Sequence, residues 1–303
     1  MADLSVNIGG IRMKNPVMAA SGTFGYGIEY AQLIDLNRLG AVVVKGVSLD
    51  PWNGNNTPRH LEVPGGMLNA IGLQNPGVDD FLANYLPALR AYDVPVIVNI
   101  WGRTIDEYAG VAARLSGAPG ISGFEINISC PNIKEGGIAF GTDPRMAAQV
   151  VAAVRARTHL PLLTKLAPNV TDIRIFARVA EEQGSNAISL INSYPAMAID
   201  IESRRPVLAN ITGGLSGPAI HPIAVKLVFE AARAVKIPVV AMGGITSARE
   251  AIEFIIAGAR AVAVGTANFT DPEVCLKVIE GIGTYLDRHS VGTVAELSGT
   301  VRI

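Results

Sequence analysis

Eight short, strongly apolar runs recur along the whole chain, each separated from the next by a longer, more polar segment. They are PVMAAS from Pro16, AVVVKG from Ala41, PVIVNI from Pro95, GFEINIS from Gly123, PLLTKL from Pro161, AISLIN from Ala187, PVVAMGG from Pro238 and AVAVGT from Ala261. Most are apolar at consecutive positions rather than alternate ones, the pattern of a parallel strand covered on both faces. Helix signals fall between them. Thr104 with Glu107 and Ser247 with Glu250 have capping-box spacing, Asp143 and Pro144 read as N-cap and first helical residue, and Gly117 and Gly258 suit helix ends. Eight strand–helix units with right-handed crossovers close most naturally into an α/β architecture, the (β/α)8 TIM barrel. An open, doubly wound sheet is the competing arrangement.

The length of 303 residues fits one such barrel, about 250 residues, with extra loops. No linker, repeat or low-complexity stretch divides it, so residues 1–303 are expected to form a single domain. Two connections, from about Ser48 to Gly77 and from Asn192 to about His221, are longer than a bare barrel needs. Loops of that length act as lids or make small excursions of their own.

Composition narrows the class. Apolar residues make up 49% and charged ones only 17%, with 32 glycines, which suits a buried parallel sheet and excludes disorder. Lys and Arg (25) balance Asp and Glu (26), so no basic face for nucleic acid is expected. Cys130 and Cys275 match no zinc or iron–sulfur spacing, which excludes a resident metal cluster and fits a reducing compartment. The N-terminal MADLSVNIGG lacks a signal-peptide pattern, and no apolar run reaches the roughly 18 residues of a membrane span. A soluble, cytoplasmic protein is the expectation.

In a barrel, the C-terminal ends of the strands build the site. Here those ends carry Ser21, Lys45, Asn99, Asn127 with Cys130, Lys165, Asn192 with Ser193, Gly243–Gly244 and Gly265–Thr266. A lysine ending an apolar strand is costly to bury without an anionic partner. Either one alone could reach solvent, but Lys45 and Lys165 at one mouth together suggest a site for an anion or an electron-rich ring. Glycines at the last two strand ends let backbone N–H groups approach a phosphate. Asn127, Asn132 and Asn192 offer donors and acceptors suited to a planar ring with carbonyl and N–H groups. Cys130 follows a strand end and is locked by Pro131, whereas Cys275 reads as a small buried hydrophobe on the last helix. The four histidines lie off the strand ends and read as surface or loop residues.

The string Asn127-Ile-Ser-Cys-Pro-Asn132, with Asn69-Ala-Ile-Gly-Leu73 before it and Met242-Gly-Gly-Ile245 after it, resembles class 1 dihydroorotate dehydrogenase. The resemblance runs from an opening hairpin, Leu4–Asn15, to the last helix. It implies a TIM barrel with a short N-terminal β-hairpin and extended βα loops. By the same resemblance FMN is held by Ser21, Lys45, Gly46, Asn99, Asn127, Lys165, Ile191, Gly217, Gly243, Gly244, Gly265 and Thr266. Dihydroorotate or orotate would meet Lys45, Asn69, Ala70, Ile71, Gly72, Leu73, Asn127, Asn192 and Ser193, with Asn132 as a further contact. Cys130 would be the catalytic base, with Lys45 and Lys165 stabilising negative charge on the reduced flavin. Class 2 enzymes use serine where this chain has Cys130 and carry an N-terminal membrane-binding extension, which is not expected for a class 1 chain.

Within class 1, Ile133–Pro144 and Gly213-Gly-Leu-Ser-Gly-Pro218 resemble the NAD-linked type 1B kind. That kind pairs the barrel with an electron-transfer subunit bearing FAD and [2Fe-2S], as a heterotetramer of two of each chain, and serves pyrimidine (UMP) synthesis. The alternatives are a homodimeric, fumarate-linked type 1A enzyme and a non-redox phosphate-binding barrel enzyme. The latter usually works with paired carboxylates, and here only Glu125 lies within a strand. No dinucleotide fingerprint follows a strand, so NAD is not expected to bind this chain directly.

Overall fold

The computed structural model describes residues 2–131 and 138–303. Each of the eight runs forms a strand: β1 (Val17–Ala19), β2 (Ala41–Val47), β3 (Val96–Ile100), β4 (Gly123–Asn127), β5 (Leu162–Lys165), β6 (Ala187–Leu190), β7 (Val239–Ala241) and β8 (Ala261–Val264). Every strand pairs in parallel with its neighbours in sequence, and β8 returns to β1 with Val262 opposite Val17, closing the barrel.

Helices follow every strand except the first. Between Ala20 and Gly40 the chain makes turns and one 3-10 turn, Leu36–Arg38. The regular eight-unit expectation fails here for a local reason. Gly22, Gly25 and Gly27 all sit at positive φ (87°, 55° and 96°), a geometry no helix contains. The other helix signals hold with two adjustments. Asp143 caps Pro144–Arg155 by accepting from the Arg145 N–H at 2.8 Å. Ser247 and Glu250 form a full capping box on Ala248–Ala257, which ends at Gly258 with φ 126°. Thr104 caps Ile105–Leu115, but the Glu107 carboxylate turns to Arg103 instead of back to the cap. That helix ends with Ser116 as its C-cap in helical geometry, one residue before Gly117.

Two apolar cores result. The larger lies between barrel and helices and includes Val42, Val44, Val98, Phe124 and Ile126. The smaller fills the barrel's interior with Met18, Val43, Ile97, Leu163 and Val240. The N-terminal hairpin, Val6–Ile8 with Ile11–Met13, adds Ile8, Ile11 and Met13 to that interior cluster. Each fully buried side chain of this size contributes about 1.5–3 kcal/mol, so the hairpin plugs the end opposite the strand C-termini with a substantial stabilising term.

The two long connections meet. His60–Val63 and Gly66–Asn69 from the first join Tyr194–Ala196 and Gly213–Ser216 from the second in one four-stranded antiparallel sheet. The join between them sets Asn69 opposite Gly214 and Met67 opposite Ser216. Leu68, Ala70 and Leu208 form a small buried core within this roof. Among the described residues no helix is long and apolar enough to cross a membrane.

Candidate active site

Side chains alternate along a strand, so every second residue of each barrel strand faces the axis. Those inward columns change character along their length. Val43 gives way to Lys45, Ile97 to Asn99, Leu163 to Lys165 and Ala187 to Ser189. Strand register then aligns the polar layer: Asn99 lies beside Glu125, Asn127 beside Lys165, and Lys165 beside Ser189.

Above this layer is a cavity of about 860 Å3 under the roof. The barrel contributes Ser21, Lys45, Gly46, Asn99, Asn127, Cys130, Lys165 and Ile191 to its lining, with Asn192 and Ser193 following β6. Gly217 comes from the second excursion, and Gly243, Gly244, Gly265 and Thr266 from the last two strand ends. Asn69, Ile71, Gly72 and Leu73 form a further wall. That wall is braced from behind: Trp52 donates its indole N–H to Gly72 O at 2.9 Å, and the Asn55 N–H donates to Ile71 O at 3.0 Å. Ala70 differs from its neighbours, since its side chain joins the roof core and its carbonyl accepts from Asn55 Nδ2 at 3.0 Å. Asn132 and residues 133–137 lie outside the described residues.

The two lysines differ in kind. Lys165 is buried and faces the buried carboxylate of Glu125 at 3.6 Å, with side-chain exposures of 6% and 1%. Its ammonium also donates to Ser21 Oγ at 3.3 Å. Lys45 is half-buried, and desolvation first, then the Arg59 cation, hold its ammonium below the usual lysine range, with Glu29 acting the other way. An incoming anion would oppose that shift.

One of the two glycine turns leaves room for a phosphate. Gly265 lines the cavity, and a Cβ placed on it would come no nearer than 3.9 Å to Ala20 or Thr23, so that space is open to a ligand. Gly244 is needed for a different reason. At φ 69° its Cβ would lie 2.8 Å from His221 Cβ and 2.9 Å from Gly217 O. Thr266 donates its hydroxyl to Ser216 Oγ at 2.8 Å, tying the last strand end to the roof.

One histidine departs from the surface-or-loop expectation. His221 is neither loop nor surface: it starts the helix His221–Ala232, is largely buried, and its Nδ1 lies 2.9 Å from Gly243 O. His60, on the roof's outer strand, lines the cavity mouth together with Glu62. The sequence signal for His221 is the His-Pro pair that opens a helix; His60 is exposed as expected, at the start of the strand–turn–strand pattern HLEV-PG-GMLN. Cys275 behaves as expected of a buried hydrophobe, its thiol pushed up to about 12 by burial and by Asp271.

A family model for dihydroorotate dehydrogenase matches residues 3–286. A relative from Geotalea daltonii, "Dihydroorotate dehydrogenase B (NAD(+)), catalytic subunit", is 54% identical over 301 residues, covering 99% of each chain. Relatives of the same description from Alkaliphilus metalliredigens and Thermoanaerobacter pseudethanolicus are each 52% identical, again over 99% of both chains. In fold, the chain resembles DHODH from Eimeria tenella solved with ferulenol, with a TM-score of 0.83 at 24% identity, covering 98% of this chain and 88% of that one. Match and geometry agree over nearly the whole length, and the chain belongs to the dihydroorotate dehydrogenase family.

Proposed function

We propose that this chain is the FMN-binding catalytic subunit of an NAD-linked dihydroorotate dehydrogenase, oxidising (S)-dihydroorotate to orotate in pyrimidine synthesis. One observation carries the reading: a single cavity gathers the glycine turns, both lysines, the Asn127 and Asn192 amides and Cys130. FMN, when bound, supplies a hydride acceptor for C6 of the substrate. Gly243–Gly244 and Gly265–Thr266 hold its phosphate, and Ser21, Gly46, Asn99, Lys165, Ile191 and Gly217 hold the remainder. Lys45, Asn127, Asn192, Ser193 and the Asn69–Leu73 wall orient the substrate, with Asn132 beside them.

Cys130 acts as base. As thiolate its Sγ takes the proton from C5 while the C5–C6 double bond forms, and the roof keeps bulk water from that proton. Only the thiolate, not the thiol, can take that proton. Lys165, already paired with Glu125, places a cation beside developing negative charge without leaving the site strongly positive.

Lys45 has a pH signature. Its ammonium is the counter-charge for an anionic ligand, and its pKa in the free protein lies below the ordinary 10.5. Orotate affinity should therefore begin to fall at lower pH than an ordinary lysine would dictate. A charge-assisted bond is worth about 1.5–3 kcal/mol, so Lys45→Met should weaken orotate on the order of 10–100-fold at neutral pH and flatten that alkaline loss. Orotate titrations followed by flavin absorbance from pH 7 to 10 check this. A pH dependence kept in full by Lys45→Met assigns the titration to another group.

Electrons leave through a partner subunit bearing FAD and [2Fe-2S], in a cytoplasmic heterotetramer of two of each chain. To test this, the isolated FMN-loaded chain is reduced with dihydroorotate and then given NAD or fumarate. Negligible reoxidation by NAD until the partner is added is the expected result, with little by fumarate. Rapid, saturable reoxidation by fumarate moves the protein to the homodimeric kind, and fast NAD reduction by the lone chain refutes the partner.

A further inference from the structure

Glu125 is the only carboxylate among the described residues that is fully inside the protein, and four donors surround it. Asn99 Nδ2 donates to its Oε1 at 2.6 Å, Ser189 Oγ to its Oε2 at 2.7 Å, and Ser21 Oγ to Oε1 at 3.3 Å. The Lys165 ammonium completes the set at 3.6 Å. A carboxylate buried this deep at the floor of a site is costly unless its charge is matched.

An ionised carboxylate only accepts hydrogen bonds, so it dictates which way its neighbours face. Asn99 must turn its NH2 group toward Glu125, which leaves Asn99 Oδ1 to accept from Asn127 Nδ2 at 3.2 Å. Asn127 Oδ1 is then left to accept from Asn192 Nδ2 at 3.3 Å, and the same Asn192 NH2 also donates to Ser129 Oγ at 2.9 Å. Asn192 Oδ1 in turn accepts from the Ser193 N–H at 2.8 Å. Three amides, on β3, at the end of β4 and just after β6, thus run head to tail in one direction, from the buried charge to the cavity wall. The acceptor-only carboxylate fixes this direction at one end and the donor-only Ser193 N–H fixes it at the other, so the two ends agree.

We propose that Glu125 is a positioning residue for the reaction: it neutralises Lys165 beneath the cavity and, through Asn99, anchors the inner end of the amide chain in which Asn127 and Asn192 present their donors and acceptors. The proposal rests on the reading that flavin and dihydroorotate occupy this cavity. The carboxylate touches neither ligand, and its effect is transmitted as a fixed pattern of donors and acceptors and as a cation already balanced.

Glu125→Gln tests it, because the shape is kept while the charge and the acceptor-only character are lost. The phosphate turns at Gly243 and Gly265 stand on other strands, so this variant should keep its flavin. The midpoint potential of the bound flavin should move to more positive values, since an uncompensated Lys165 cation favours the extra negative charge of the reduced form. The orotate dissociation constant should rise on the order of 10-fold, as expected when one charged hydrogen-bond anchor is lost. Glu125→Asp keeps the charge and should recover the potential better than the affinity.

If Glu125→Gln lowers the melting temperature but leaves potential and orotate affinity at wild-type values, Glu125 is merely structural and the proposal is overturned. If wild type itself holds no FMN, or orotate leaves its spectrum unchanged, the functional reading fails instead. A second variant guards against misfolding. Lys165→Met leaves a buried anion unpaired and Glu125→Gln a buried cation, whereas the double variant leaves neither. The double variant should melt above Lys165→Met, with effects far from additive. Should Glu125→Gln not accumulate, a double variant that folds and melts above Lys165→Met supports the pairing, and failure of the double variant to fold overturns it.

Discussion

Cys130→Ala should retain FMN and orotate yet reduce its flavin with dihydroorotate about 10²–10⁴-fold more slowly than wild type, the usual share of a general base. The expectation follows from position. Cys130 is buried, it lines the same cavity as Asn127 and Asn192, and it sits in the loop that directly follows β4. The roof strand Gly213–Ser216 passes close over this loop, since a Cβ on Gly214 would lie 3.3 Å from Pro131 and closer still to Ser193. Removing one sulfur therefore leaves walls and amides in place and deletes the proton acceptor. Cys130→Ser should be impaired too, because an unassisted hydroxyl is a much weaker base at neutral pH. Stopped-flow bleaching of the flavin by dihydroorotate measures the step, and near-normal bleaching in Cys130→Ala would sink the assignment.

Gly265→Leu should purify colourless, falling from one flavin per chain to almost none. A side chain there enters the cavity rather than the protein, because the nearest protein atoms to its Cβ lie 3.9 Å away. Gly244 makes a poorer test, since any side chain at its φ of 69° is strained and collides with His221 and Gly217 O whatever the ligand. Comparing melting temperatures of the two flavin-free proteins separates lost binding from lost folding. Full flavin retention by Gly265→Leu would remove the phosphate from this turn.

The barrel was legible because burial on both faces writes itself into each strand as an unbroken apolar run, and all eight runs became strands. The position of the site was legible for a related reason. A closed parallel barrel forces every strand's C-terminal end to one mouth, so Lys45, Asn99, Asn127 and Lys165 had to converge. What the residues did not disclose depended on distant pairing. Gly213–Ser216 is only four residues long, opens on two glycines, and finds its partner, Gly66–Asn69, about as far back along the chain as a small domain is long. No local periodicity announces such a strand. Glu125 looked isolated for the same reason: its counter-charge, Lys165, is on the neighbouring strand, and only register brings them together. The missing first helix was written locally, in Gly22, Gly25 and Gly27, but a barrel rhythm read at coarse grain passes over it.

The roof has a bearing on how the protein breathes. It rests on three fully buried side chains, Leu68, Ala70 and Leu208, while the barrel beneath is held by dozens. Segments with so little buried apolar contact open at a fraction of the free energy that unfolds the whole molecule. Both excursions leave and re-enter the same barrel mouth, so they can part along the seam between Met67–Asn69 and Gly214–Ser216 without disturbing a single barrel pairing. Opening the enclosure along that seam would therefore cost the roof's own contacts and leave the barrel's closure intact.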